Sequence, residues 1–284
     1  MCYVNSVCKY YANRYPEKFV KIVHPFSVIF VLVGIVFFFS VQMLYIAPKV
    51  YGDLAYKLYW ILAIFVTYNV LGNMLACYST NTSVSSLPKE RQVPDPEEEH
   101  LWHYCEICQK LMPPRSWHCV LCKACILKRD HHCIFTATCI GHNNQRYFFW
   151  LTFYITCGLV VSFATFSIYV CKVGLRNFMF SPVELIVKIA YKDHGCSSRS
   201  IFENLALNLN IITCLIPGFM LAYQIQILYL NSSYYEMFTR IYDLGVRENC
   251  KIVMGQRGLW TFLSPSLKSP LPNDGTQWQM KRNL

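Results

Sequence analysis

The chain has 284 residues, of which 54% are hydrophobic and 15% charged, and its net charge is +10. This apolar composition excludes an intrinsically disordered chain, which combines low hydrophobicity with high net charge. No nucleic-acid reader module or long basic run accompanies the positive charge, so we expect an anionic membrane surface as partner and no nucleic acid.

Four apolar stretches are long enough to cross a lipid bilayer. We expect all four to be helices, because an isolated strand cannot satisfy its backbone hydrogen bonds in lipid. They comprise residues 25–47, 58–78, 147–171 and 205–230. No internal repeat is evident along the chain. Polar side chains inside the second and fourth stretches are expected to form hydrogen bonds between helices: Asn69, Asn73, Asn208, Asn210 and Gln224.

The distribution of positive charge predicts the orientation in the membrane. Nineteen of the 26 lysine and arginine residues lie in the amino-terminal segment, the second connection and the tail, and seven lie in the other two connections. Because such residues accumulate in cytosolic segments, both termini and the second connection should face the cytosol. The predicted organisation is a cytosolic amino terminus (1–24), transmembrane helices 1 and 2 (25–78), a cytosolic domain (79–146), transmembrane helices 3 and 4 (147–230) and a cytosolic tail (231–284).

The second connection concentrates the residues that bind metals. Residues 105–139 contain seven cysteines and three histidines. The pairs Cys105/Cys108 and Cys119/Cys122 have the Cys-x2-Cys spacing of structural zinc sites. Two zinc ions need eight ligands, so at least two of these ten groups are left for chemistry, and spacing alone does not decide which two. A disulfide framework fits less well, because histidines are mixed with the cysteines and the cytosol is reducing.

The sequence Asp130-His131-His132-Cys133 resembles the signature of the DHHC family of protein S-acyltransferases. Pro113-Pro114-Arg115-Ser116 and Gly141-His142-Asn143-Asn144 also resemble that family's cysteine-rich domain. The resemblance implies one zinc ion bound by Cys105, Cys108, His118 and Cys125. It implies a second zinc ion bound by Cys119, Cys122, His132 and Cys139.

By the same resemblance, Cys133 is the nucleophile that carries the S-acyl intermediate, His131 is its general base, and Asp130 orients His131. These roles make chemical sense, because a free thiol with a pKa of about 8.5 is mostly protonated at neutral pH and needs a base beside it. The carboxylate would fix the tautomer of the imidazole, as in other triads. Lys128 and Arg129 add positive charge nearby and are candidate contacts for acyl-CoA.

The resemblance implies an all-α integral membrane protein with four transmembrane helices and a cytosolic two-zinc domain between helices 2 and 3. The implied reaction transfers a long fatty acyl group (palmitoyl) from acyl-CoA to cysteine thiols of proteins that carry cysteines close to a membrane. The predicted location is the endomembrane system, in the Golgi or the endoplasmic reticulum.

Two other functional classes are considered. A catalytically inactive membrane adaptor is favoured by departures from the family pattern: Ile134-Phe135 replace a Pro-Trp pair, and Ser233-Tyr234-Tyr235-Glu236 replaces a Thr-Thr-x-Glu motif. A RING-like ubiquitin ligase also uses eight zinc ligands, but its ligand order and wider central spacing fit this segment poorly.

The tail carries a further resemblance to the family. Tyr242-Asp243-Leu244-Gly245, followed by Asn249 and Trp260, is similar to a carboxy-terminal motif in which an asparagine and aromatic residues dock the tail. After Pro265 the chain is rich in serine, proline, asparagine and glutamine, a composition typical of disorder.

Overall fold

The computed structural model describes residues 6–174, 186, 198–237 and 239–281. The α-helices are α1 (Ser6–Arg14), α2 (Pro16–Ser40), α3 (Ala47–Val50), α4 (Asp53–Ser79), α5 (Gln145–Val173), α6 (Ser198–Leu230) and α7 (Val246–Met254). A π-helical segment, Val41–Ile46, joins α2 to α3. The strands are β1 (His103–Cys105), β2 (Lys110–Met112), β3 (Trp117–Cys119), β4 (Ala124–Ile126), β5 (His131–Cys133) and β6 (Thr138–Ile140).

The four predicted membrane spans are confirmed. Within the described residues, four helical segments are long and apolar enough to cross a bilayer: Pro16–Val50, Asp53–Ser79, Gln145–Val173 and Ile201–Leu230. Each extends beyond the apolar stretch read from the sequence, because the helical turns continue into the more polar flanking residues. The chain is therefore a multi-pass membrane protein with its cysteine-rich segment between the second and third spans.

The chain divides into two compact units. The helical unit comprises Leu32–Tyr68 and Thr152–Leu221. The site unit comprises Met1–Val31, Asn69–Leu151 and Ala222–Leu284, and it contains the whole cysteine-rich segment.

The helical unit has the polarity that lipid requires. Large apolar side chains such as Phe219 are exposed, whereas polar side chains such as Gln42 and Asn210 are buried. Gln42 Nε2 and Asn210 Nδ2 each donate to Ser162 Oγ at 2.6 Å. Such hydrogen bonds between helices are expected where no water is available, and for Asn210 the prediction from the sequence is confirmed.

The cysteine-rich segment folds as three similar hairpins, which corrects the expectation that the chain has no internal repeat. Their first strands begin at His103, Trp117 and His131, a spacing of 14 residues. Each hairpin pairs its two strands antiparallel with three residues on each side. The residue before each second strand has a left-handed backbone, at Gln109 (φ 52°), Lys123 (φ 53°) and Ala137 (φ 53°).

The repeat has a trace in the sequence that spacing analysis can find. Cys105-x2-Cys108 recurs 14 residues later as Cys119-x2-Cys122. The third copy reads Cys133-x2-Thr136, so its second cysteine is replaced by threonine. Because this cysteine is absent, a search for Cys-x2-Cys pairs finds only the first two copies of the repeat.

Gly141 joins the third hairpin to α5 at a point where no side chain fits. A Cβ there would lie 2.4 Å from the backbone oxygen of Leu127. The Gly141 N–H donates to Asn144 Oδ1 at 2.9 Å, and Asn144 Nδ2 donates back to the Cys139 backbone oxygen at 2.9 Å. These contacts tie the start of α5 to the strand that carries Cys139.

Residues 266–281 pack on the site unit through defined contacts, so the expectation of disorder after Pro265 is wrong for them. Ser269 is 5% exposed and its hydroxyl donates to the Met254 backbone oxygen at 2.7 Å. Trp278 packs edge-on against His142, with ring centroids 5.2 Å apart. Composition suggested disorder, but a few buried side chains hold the segment on the site unit.

Candidate active site and metal centres

Two clusters of possible metal ligands form in the site unit, and they are the two sets that the family resemblance implies. One cluster contains Cys105, Cys108, His118 and Cys125, and the other contains Cys119, Cys122, His132 and Cys139. In each cluster the ligand atoms lie within 4.8 Å of one another.

The geometry of both clusters fits a zinc ion. Tetrahedral zinc with Zn–S bonds of about 2.3 Å places neighbouring sulfur atoms about 3.8 Å apart. Cys108 and Cys125 sulfurs are 3.7 Å apart in the first cluster, and Cys122 and Cys139 sulfurs are 3.5 Å apart in the second. The donors are thiolates and imidazoles, which zinc prefers over the harder cations. The two clusters are therefore consistent with two zinc ions in closed structural sites.

The hairpin repeat explains why the two ligand sets are interleaved along the chain. The first cluster takes its Cys-x2-Cys pair from hairpin 1 and the cross-strand pair His118–Cys125 from hairpin 2. The second takes its Cys-x2-Cys pair from hairpin 2 and the cross-strand pair His132–Cys139 from hairpin 3. A metal ion in each cluster would therefore link one hairpin to the next, whereas hairpin 3 is followed by α5.

Cys133 belongs to neither cluster, and strand alternation separates it from the second one. Successive side chains on a strand point to opposite faces. On β5, His132 points to the second cluster, so His131 and Cys133 lie on the opposite face. The three consecutive residues thus separate into one metal ligand and two groups that are available for chemistry.

The structure brings Asp130, His131 and Cys133 together, as the resemblance implies. Asp130 Oδ2 lies 3.0 Å from His131 Nδ1, which leaves the other ring nitrogen of His131 for the Cys133 thiol. Cys133 is 5% exposed and Asp130 is 2% exposed. The ring of His131 also meets Phe148 edge-on, with centroids 4.9 Å apart.

Electrostatics in this group favour a charged pair. Burial opposes charge on the Cys133 thiol, but hydrogen bonding to His131 and the charge of that ring hold its pKa below the ordinary value, with a further contribution from Thr136. Burial likewise opposes charge on His131, but the Asp130 carboxylate raises its pKa to about 9. Both shifts favour a thiolate beside an imidazolium over the neutral thiol–imidazole pair.

Four hydrogen bonds hold the Asp130 carboxylate, and three of them come from residues after Ala222. Tyr223 Oη and the Tyr234 backbone N–H donate to Oδ1, at 2.9 Å and 3.2 Å. Gln224 Nε2 donates to Oδ2 at 2.9 Å. Burial raises the pKa of Asp130, but His131 and these donors bring it below the ordinary value.

These supporting residues were missed from the sequence. Gln224 was expected to bond to another helix, and Tyr223 had no assigned role. The available signal was a tyrosine–glutamine pair about two turns before the end of the fourth span, which ends at Leu230 shortly before the altered Ser233–Glu236 motif.

Lys128 and Arg129 lie in the interior of the site unit, at 1% and 3% exposure. Lys128 Nζ donates to Gln145 Oε1 at 3.1 Å and Asn231 Oδ1 at 2.9 Å, and one guanidinium nitrogen of Arg129 donates to Tyr235 Oη at 2.7 Å. Burial, reinforced by the charge of Arg115, holds the pKa of Lys128 well below its ordinary value. A contact with acyl-CoA stays a prediction for both residues, and their burial argues against it.

Arg115 joins two of the motifs that resemble the family's. Its guanidinium forms an ion pair with Glu236 at 2.7 Å, and the side chain of Arg115 is 1% exposed. Tyr242 and Trp278 place their rings 4.0 Å and 4.3 Å from the guanidinium carbon. The acidic residue of the altered Ser-Tyr-Tyr-Glu motif thus has a defined partner in the cysteine-rich domain.

Asn249 docks the tail in the manner that the second resemblance implies. Its side-chain amide donates to the Tyr229 backbone oxygen at 2.7 Å and to Asp243 Oδ1 at 2.9 Å. Its oxygen accepts the Leu244 N–H at 3.1 Å. A buried asparagine therefore ties α7 to the end of α6.

Comparison with known proteins agrees with this geometry. The family model described as DHHC palmitoyltransferase matches residues 98–241, just over half of the chain. The zebrafish (Danio rerio) protein named Probable palmitoyltransferase ZDHHC24 is 31% identical over 188 residues. That alignment covers 64% of this chain and 63% of the zebrafish protein. The matched region contains both metal clusters and the Asp130–His131–Cys133 group, and the chain belongs to the DHHC palmitoyltransferase family.

Proposed function

We propose that this chain is a protein S-acyltransferase, which moves a long-chain fatty acyl group, palmitoyl in the first instance, from acyl-CoA to cysteine thiols of proteins. The observation that carries the proposal is the buried Cys133 thiol beside a histidine that a buried aspartate holds in place. Family membership supports the general reaction. The buried thiol beside His131 supports an acyl-enzyme, and the thioester donor is part of the proposal.

In the first step the Cys133 thiolate attacks the carbonyl carbon of the acyl-CoA thioester. The C–S bond to CoA breaks, an acyl–Cys133 thioester forms, and the proton held by His131 can pass to the departing CoA thiolate. Asp130 stabilises the imidazolium through Nδ1 and keeps the other ring nitrogen directed at the reacting sulfur.

In the second step a cysteine thiol of the acceptor protein gives its proton to His131 and attacks the acyl–Cys133 thioester. Cys133 leaves as a thiolate, which the imidazolium stabilises, and the site returns to its starting state. One thioester replaces another in each step, so the reaction needs no nucleotide hydrolysis. Zinc at the two closed clusters would fix the hairpins and would not activate water.

The proposed donor, acceptors and location fit the membrane spans. A fatty acyl chain partitions into the bilayer while CoA stays in water, so a reactive thiol on a multi-pass protein meets both. We propose acceptors that are cytosolic or membrane proteins with cysteines close to the bilayer. The endomembrane location, Golgi or endoplasmic reticulum, rests on the resemblance alone.

The direct test incubates the purified, zinc-loaded protein with labelled palmitoyl-CoA and follows label that hydroxylamine releases. Wild-type protein should acquire the label and then pass it to an added acceptor cysteine. If folded, zinc-loaded protein never labels, acyl transfer is excluded and the inactive adaptor takes its place.

Replacing His131 by alanine should slow acyl-enzyme formation by roughly a hundred- to ten-thousand-fold, the usual contribution of a positioned general base. Zinc content should not change, because His131 lies on the opposite face of β5 from the second cluster. The labelling rate and the zinc content, measured on the same preparation, check these two expectations. His103→Ala, which alters a histidine of hairpin 1, is the matched control and should label near the wild-type rate. An unchanged rate for His131→Ala would remove the general-base role.

The proposed orientation predicts that neither Asn-x-Ser/Thr sequon is glycosylated in a eukaryotic membrane. Asn81 is exposed, whereas Asn231 is 1% exposed and bonded to Lys128, so Asn81 is the informative site. A mass shift that glycosidase removes and that Asn81→Gln abolishes would show this segment to be lumenal. That result would contradict the orientation inferred from positive charge. A sequon placed between the third and fourth spans, which end at Val173 and begin at Ile201, is the positive control.

A further inference from the structure

The first membrane helix brings a histidine to the second metal cluster from outside the cysteine-rich domain. His24 on α2 places its Nε2 3.0 Å from Nε2 of His132. The two ring planes are within 22° of parallel and their centroids are 5.0 Å apart. Both side chains are buried, at 8% and 4% exposure.

The orientation of the His132 ring determines which hydrogen bond the two histidines can form. His132 Nδ1 faces the cluster, 3.3 Å from the Cys122 sulfur and 3.5 Å from the Cys139 sulfur. A metal bound at Nδ1 needs the lone pair on that nitrogen, so the ring proton must lie on Nε2. That proton points at His24, whose Nε2 can accept it when the His24 proton is on Nδ1.

Packing around His24 holds it in this position. Phe19 lies edge-on to the His24 ring at 6.5 Å. Phe19 and Ala12 form a buried apolar cluster with Val23 on the helix side and with Leu121 and Ile134 on the hairpins. Ile134 is one of the residues that depart from the family pattern, and here it supplies part of this contact.

A nearby ion pair contributes little to the contact between α2 and the hairpins. Glu17 and Lys123 meet at 2.7 Å, but their side chains are 69% and 67% exposed. Water and salt screen a pair as exposed as this. The apolar cluster and the histidine pair therefore define the contact.

We propose that His24 is an outer-shell positioning residue of the second zinc site, where it accepts a hydrogen bond from the zinc-binding His132. Second-sphere partners of this kind set the tautomer and orientation of a ligating histidine and raise its basicity. Because His132 lies between His131 and Cys133 on β5, the first membrane helix also steadies the strand that carries the reactive thiol. The zinc site is then complete only when α2 is docked.

The test compares full-length wild type with His24→Leu, which keeps an apolar side chain but cannot accept, and with His24→Gln, whose amide oxygen can accept at a similar reach. His100→Leu, at an exposed histidine, is the matched control. Zinc is removed by a graded chelator, and thiols freed at each site are counted by alkylation and mass spectrometry. Cys119, Cys122 and Cys139 report the second site, and Cys105, Cys108 and Cys125 report the first.

For His24→Leu we expect the second site to bind zinc about 10- to 100-fold more weakly, with the first site unchanged. His24→Gln should recover much of the loss, and His100→Leu should match wild type. Equal loss at both sites in His24→Leu would indicate general loosening and overturn the proposal. So would wild-type affinity at the second site, or a His24→Gln protein that is as weak as His24→Leu. If His24→Leu does not fold, His24→Phe, which also cannot accept the hydrogen bond, takes its place, with the same loss confined to the second site expected and wild-type affinity there overturning the proposal.

Discussion

Cys133→Ser should form no detectable hydroxylamine-sensitive acyl-enzyme, while it keeps both zinc ions and its fold. Serine retains the shape of the side chain, but its hydroxyl has a far higher pKa than a thiol, and His131 alone is not expected to ionise it. The zinc content should be unaffected, because strand alternation directs Cys133 away from the second cluster. Labelling with palmitoyl-CoA tests the loss of the acyl-enzyme, and metal analysis on the same sample tests the retention of zinc.

The matched control for this variant is Cys250→Ser. Cys250 lies on α7, belongs to neither metal cluster and is half-buried. It should label like wild type. Equal labelling of Cys133→Ser and wild type would show that another cysteine is the nucleophile. Loss of zinc from Cys133→Ser would show instead that Cys133 is a ligand, and the assignment of the clusters would then have to change.

Cys122→Ser should lose about one of the two zinc ions. It should also abolish labelling by palmitoyl-CoA, although Cys122 takes no part in the proposed chemical steps. The second metal ties hairpin 2 to hairpin 3, and hairpin 3 carries both His131 and Cys133. Structural zinc contributes folding free energy directly, on the order of 10 kcal/mol in small zinc domains. Removing one ligand should therefore release the strand on which the reactive thiol stands.

The companion variant Cys108→Ser separates the two sites. It should also lose about one zinc ion, but from the site that ties hairpin 1 to hairpin 2. Thiol alkylation should then expose Cys105 and Cys125 first and leave Cys119 and Cys139 protected. A wild-type protein that is well folded with one zinc ion or none would contradict the two-zinc assignment, as would a Cys122→Ser protein that keeps two.

The hairpin repeat gives a structural reason for the special position of Cys133. Cys105 and Cys119 occupy the same place in hairpins 1 and 2, and each is joined by a second cysteine three residues later. In hairpin 3 that second position is Thr136, and the chain continues into α5 instead of a further hairpin that could supply a cross-strand pair. The backbone turn that would hold a zinc-bound thiolate in the first two hairpins is thus retained around a thiol that belongs to neither cluster.

Much of this protein could be predicted from local sequence. Four apolar stretches fix four membrane helices, because only helices of that length satisfy their backbone in lipid. Ten soft ligands in 35 residues indicate two zinc sites with a surplus. The motif Asp130-His131-His132-Cys133 identifies the family, and the implied ligand sets are those that the structure assembles.

Other features depend on contacts between residues far apart in the chain. The donors to Asp130 from Tyr223 and Gln224 lie more than ninety residues away, and nothing in either segment indicates its partner. The burial of Lys128 and Arg129 could not be read from two adjacent basic residues, which alone suggest an exposed charged loop. The order of residues 265–281 depends on side chains such as Trp278, whose partners Arg115 and His142 are distant in sequence.

The membrane class, the type of metal ligand and the family could thus be inferred from residue order, because these depend on apolar length, residue type and short spacing. The folded chain shows in addition which face of β5 each residue of the motif occupies, what holds the Asp130 carboxylate, and that His24 reaches the second metal cluster. Residue order does not show these features, because hydrogen bonds and burial depend on distance in space. Residue type limits which partners are possible, and the fold selects among them.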